Sequence, residues 1–195
     1  MPSGQEIQQY LTGVARLMLG RPDGLKLLDF SADGFWNSFF AIVVALPPLV
    51  VGWVGIANEV AGMMDVATRF SLLVRLFFAD MGAWVLPLVM LAVAARPMGI
   101  ADRFVHYVVA SNWASALFAW LMLPPALLRL FLPQAMDATI LLSLLLFLVT
   151  LVLSWRLTVA VIARGPAMGS AVFFAMLVAS IATLFALQAL LGLTF

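Results

Sequence analysis

The sequence predicts an all-α fold: a polytopic integral membrane helix bundle of about five transmembrane helices, plus an N-terminal amphipathic interfacial helix. Three observations predict it. Of 195 residues, 65% are hydrophobic and 10% charged, against about 25% charged in ordinary soluble domains. No soluble fold of this length hides so much apolar surface, because folding still leaves roughly a third of the chain's area wet. Five apolar stretches each approach the ~20 residues needed to cross a ~30 Å hydrocarbon core. The charges collect in short links between them.

Composition also narrows the chemistry. A net charge of +1 carries no basic field, so no nucleic-acid partner is expected. The absence of cysteine excludes disulfides and thiolate metal sites, and a single histidine excludes a multi-histidine cluster. No metal and no cofactor are expected. There is no phosphate loop, dinucleotide fingerprint, H-E-x-x-H or prenylation signal in the chain.

Residues 1–34 read as a cytoplasmic or interfacial leader, without the features of a cleavable signal peptide. Ser3 and Glu6 have capping-box spacing, and Ile7, Tyr10, Leu11, Val14 and Met18 share one helical face over residues 3–19. Gly20-Arg21-Pro22-Asp23-Gly24 then stops the helix. Arg16, Arg21 and Lys26 are the expected membrane-surface contacts, facing anionic head groups.

Residues 35–195 form the transmembrane domain, with spans at 35–57, 71–94, 104–128, 138–162 and 168–193. Links this short are expected to make successive spans antiparallel neighbours. They carry Glu59, Asp65 and Arg69, then Arg96, Asp102 and Arg103, then Arg129 and Asp137, then Arg164. With the N-terminus inside, seven basic residues fall on the cytoplasmic side and three (Arg69, Arg75, Arg129) outside. The basic excess predicts a cytoplasmic N-terminus and puts Phe195 on the periplasmic side of a bacterial inner membrane.

One motif recurs. Trp36-x-Ser38, seven residues, then Leu46-Pro47-Pro48 returns as Trp113-x-Ser115, seven residues, then Leu123-Pro124-Pro125. An offset of two spans suits a parallel repeat of 35–94 and 104–162, with 168–193 as an added fifth span. Pro47, Pro48, Pro87, Pro124 and Pro125 each remove a backbone donor inside a span, so kinks are expected there.

Polar groups in hydrocarbon are costly and mark candidate sites. Asp80 lies about ten residues into the second span, ~15 Å deep at ~1.5 Å per residue. Arg75 is five residues earlier, about 140° around the helix, and is poorly placed to pair with it. Asp80 is therefore either a proton- or cation-responsive group or, the preferred reading, one protonated or bonded to another span. Asn112 approaches the same depth, with Ser111, Ser115 and His106 on the same span. Ser111 and Ser115 at i and i+4 suit interhelical hydrogen bonding. Together these six residues form the candidate intramembrane polar site. No elbow or oxyanion motif accompanies His106 and Ser111, so no catalytic residues and no enzyme are expected.

The stretch Arg103-Phe-Val-His-Tyr-Val-Val-Ala-Ser-Asn112-Trp113 and the run Phe30-Ser-Ala-Asp-Gly-Phe-Trp36 resemble bacterial five-span relatives of the Yip family, the Rab-GTPase-interacting membrane proteins. The likeness spans about residues 30–194. The acidic Leu-Tyr-Gly-Pro motif of eukaryotic members is absent and the leader is too short for their cytoplasmic domain, so Rab binding is not carried over. What the resemblance implies is membrane organisation. The leading expectation is accordingly a non-enzymatic membrane organiser or accessory subunit acting through helix and lipid contacts. Its expected partners are lipids and another membrane protein or a second copy of itself. The alternative is a small transporter or permease with a midplane polar site around Asp80 and Asn112.

Overall fold

A computed structural model describes residues 1–61 and 66–193. Asp65 and Phe195, to which the sequence assigned places in a link and at the outer terminus, lie outside the described residues. The described chain contains eight α-helices: α1 (Gly4–Met18), α2 (Ala32–Ser38), α3 (Phe40–Ala61), α4 (Val66–Ala94), α5 (Phe104–Leu121), α6 (Leu123–Phe131), α7 (Met136–Ile162) and α8 (Pro166–Leu190). Together they supply five helical units long and apolar enough to cross a membrane: Ala32–Val60, Val66–Ala94, Ala101–Phe131, Pro133–Ile162 and Pro166–Leu190.

The leader forms where its capping box predicts. Ser3 Oγ accepts from the Glu6 amide while the Glu6 carboxylate accepts from both the Ser3 amide and its hydroxyl, at 2.7 Å each. Those bonds favour the ionised acid and hold the Glu6 carboxyl below its usual range. A depressed folded value means this contribution to α1 is present above the unfolded pKa and fades as pH falls through the folded one. An NMR titration of the Glu6 carboxyl should give a midpoint below that of an unstructured glutamate. Ser3→Ala should move it part of the way back, since the backbone bond survives. A midpoint at the unstructured value would mean that the box is not formed.

The apolar face of α1 packs onto the bundle. Tyr10, Val14, Leu17 and Met18 are buried against α5 and α7 instead of facing lipid, with the Tyr10 ring 5.1 Å from Trp113. Protein atoms already offer that face a close-packed apolar surface. A 3-10 segment, Pro22–Leu27, folds back on α1 so closely that a side chain on Gly24 would sit 2.4 Å from the Gly13 carbonyl oxygen.

The five spans close into a ring. Span one (α2–α3) meets span three (α5–α6), span three meets span four (α7), span four meets span five (α8), span five meets span two (α4), and span two returns to span one. Spans two and three, expected as neighbours, touch only slightly. The link between them is anchored in the packed interior by one residue: Gly99 at φ +69° lets the Ile100 amide reach the Ala95 carbonyl, and Ile100 is 1% exposed. That anchored step carries the chain across to span three, which packs on span one.

Polar pairs tie the ends of the ring. Arg129 is paired with Glu59 through both guanidinium and carboxylate arms, joining spans one and three at one end. Arg164 Nη2 donates to both carboxylate oxygens of Asp102 at 2.9 Å at the other. Arg75 Nη1 donates to the Leu191 carbonyl at 3.3 Å, a cation at a helix C-terminus as the helix dipole favours.

The two copies of the repeated motif fold differently. Span one breaks at Phe39 and α3 then runs on through Pro47 and Pro48; span three breaks at Met122, and Pro124 and Pro125 open α6. Pro87 likewise sits within continuous α4. Only the Pro124-Pro125 pair therefore coincides with a helix break. Pro48 has no amide hydrogen for the Val44 carbonyl, and Trp120 Nε1 donates to that carbonyl at 2.9 Å.

Candidate functional site

All five spans line one cavity of about 660 Å³ inside the ring. Gly52, Trp53 and Ile56 face it from α3, and Asp80, Ala83, Trp84 and Pro87 from α4. Tyr107, Ser111, Asn112 and Ser115 come from α5, Thr150, Ser154 and Thr158 from α7, and Ser180 from α8. The volume lies within the ~300–1,000 Å³ of small-molecule sites, and the mostly apolar wall with few convergent polar groups has their usual character.

Asp80 accepts a 2.6 Å hydrogen bond from Trp53 Nε1. Trp53 is itself buried, so the indole holds the carboxyl group at the cavity wall. This is the partner on another span that the sequence called for without naming. Arg75 is engaged at the end of α8, away from Asp80.

Asn112 is 0% exposed and joins three spans. Its Oδ1 accepts from Trp84 Nε1 at 2.9 Å, and its Nδ2 donates to Ser38 Oγ, also at 2.9 Å. Ser38 in turn donates to the Phe35 carbonyl at 2.7 Å. A buried amide bonded through both of its ends fixes the relative register of the helices that bear its partners.

Of the six candidate residues, the fold brings Asp80, Asn112, Ser111 and Ser115 to the cavity and leaves two elsewhere. Arg75 caps α8. His106 stacks on Phe30 with ring centroids 4.2 Å apart, outside the cavity lining. At the leader, Arg16 pairs with Asp23 at 2.7 Å while Arg21 and Lys26 stay exposed.

Sequence reasoning passed over Trp53, Trp84, Tyr107 and the α7 hydroxyls. A signal was present for the last: Thr150, Ser154 and Thr158 recur every four residues, a polar seam along one face of α7. For the tryptophans the signal was position, since Trp53 and Trp84 sit within spans, away from the interfacial belts. A buried indole N–H calls for an acceptor.

Fold and cavity together define the class: a five-span α-helical integral membrane protein. Comparison with protein-family models, with curated proteins and with solved structures gave no match to this chain.

Proposed function

We propose that the protein is a small permease that holds its substrate in the five-span cavity. The observation that carries this reading is the cavity itself: a mostly apolar space containing Asp80 and Asn112, to which every span contributes. A bundle that serves only as a scaffold has no need of it, since close packing is what stabilises helices in lipid. The organiser reading drew on the likeness to the Yip relatives, with the amphipathic leader setting its association at the membrane, and the apolar face of that leader is engaged by α5 and α7. Transport without bond-making chemistry also fits the geometry, because the Ser111 hydroxyl donates to the Val108 carbonyl and His106 stacks on Phe30.

The same proposal includes a bacterial inner-membrane location with a cytoplasmic leader, from the basic-residue asymmetry. It also includes kinship with the five-span relatives of the Yip family. Neither supplies a residue role.

The chain's lack of cysteine makes the test clean. In reconstituted vesicles, Ser115→Cys should react with a membrane-impermeant thiol reagent applied to either side, as a cavity reached alternately from both would. Leu144→Cys on α7, 53% exposed toward lipid, should not react. Reaction of Ser115→Cys from one side only would make the site a receptor pocket, and none from either side would remove the wet cavity and the permease reading with it.

A further inference from the structure

We infer that the cavity selects a hydrophobic organic cation, whose charge pairs with the Asp80 carboxylate while its apolar groups lie on the aromatic and aliphatic wall. The inference rests on the permease reading and adds the substrate class to it.

Charge is the first argument. Among the described residues lining the cavity, Asp80 is the one carboxylate, and none is a lysine, arginine or histidine. The other titratable group at the wall is the Tyr107 phenol, beside Thr158. The nearby arginines are engaged elsewhere, Arg75 at the end of α8 and Arg129 with Glu59. An ionised acid in a low-dielectric cavity without a counter-ion of its own attracts a cation and rejects an anion.

Hydrogen-bonding capacity is the second. Three of the wall's hydroxyls are turned onto their own helices: Ser111 donates to the Val108 carbonyl, Thr150 to Phe147 and Thr158 to Ser154, at 2.8–3.1 Å. Both indole N–H groups are engaged, Trp53 by Asp80 and Trp84 by Asn112. The hydroxyls left over, Ser115, Ser154 and Ser180, are neutral, and with no cationic donor beside them the wall has little to hold an anion. With their N–H groups occupied, Trp53 and Trp84 contribute ring surface, which favours a cation with apolar substituents.

The test uses two ions of nearly the same shape and opposite charge, tetraphenylphosphonium and tetraphenylborate. Binding is measured by equilibrium dialysis to protein in nanodiscs of phosphatidylglycerol, which carries no ammonium head group. The wild type should bind the phosphonium more tightly than the borate by on the order of tenfold or more, the effect of one desolvated charge contact. Acidification should weaken phosphonium binding, since a protonated Asp80 has no charge to offer. Asp80→Asn keeps an acceptor for Trp53 and should lose the preference, and Asp80→Glu should retain it. Equal binding of the two ions by the wild type, a comparison that needs no variant, would overturn the cation inference and leave a neutral apolar ligand for the permease. An Asp80→Asn protein that still prefers the phosphonium would overturn it too. If neither ion binds the cation inference falls, and the Ser115→Cys labelling then decides whether the cavity reading falls with it. With phosphatidylethanolamine added, competition would identify a lipid ammonium as occupant and its absence a free cation, both within the inferred class.

Discussion

Trp113→Ala should cost about 3–5 kcal/mol of stability, the usual penalty for emptying a well-packed tryptophan site. Trp113 is 1% exposed, belongs to the main buried cluster and lies against Tyr10, so its loss opens a void between span three and the leader. Thermal unfolding in mild detergent should show a large drop in midpoint, and limited proteolysis should show the leader cut well before the bundle. The comparison is Trp36→Ala, at the corresponding position of the repeated motif. Trp36 is 71% exposed, and its replacement should fall within about 0.5 kcal/mol of neutral. Similar losses at the two positions would mean that the copies are packed alike, contrary to the structure.

Gly169→Val should force spans four and five apart. A side-chain carbon at Gly169 would sit 2.6 Å from Val159 Cα, a collision with backbone that no rotamer change relieves. Overpacking of this kind costs about 1–3 kcal/mol, occasionally more, and here it acts on a seam also tied by Trp155 Nε1 and Ser170 Oγ at 2.9 Å. Because both helices line the cavity, widening their seam should speed the labelling of Ser115→Cys as well as lower the unfolding midpoint. Gly52→Ala is the control. A side chain there meets nothing within 4 Å, and alanine in a helix interior is favoured over glycine by about 1 kcal/mol, so stability should hold or rise. A tolerated Gly169→Val would show that the α7–α8 contact is looser than described.

Much of the architecture was legible because it is local. A span is a run of ~20 apolar residues whose backbone bonds close within the segment, so hydropathy alone places it. The capping box of Ser3 and Glu6 lies within four residues and needed no tertiary contact to be recognised. The same holds for the polar residues of α5: Ser111, Asn112 and Ser115 stood out simply because hydrocarbon makes them expensive. The repeated motif was legible too, but its two copies fold differently. Its proline pairs end in different places, one inside continuous α3 and the other at the start of α6. What distinguishes them is partly a distant donor, the Trp120 indole that takes up the Val44 carbonyl.

The sequence by itself determined a five-span helical membrane chain, its amphipathic leader, and the placing of Asp80 and Asn112 within apolar spans. Only the tertiary structure decided that the ring runs one-three-four-five-two, that Trp53 holds Asp80, that Trp84 and Ser38 hold Asn112, and that a cavity remains between them. The physical reason is the solvent. In water, burial sorts apolar from polar and writes an inside face into each helix. Lipid tails are as apolar as leucine, so the faces of a span look alike, and helix order is left to close packing and to hydrogen bonds between residues far apart in the chain.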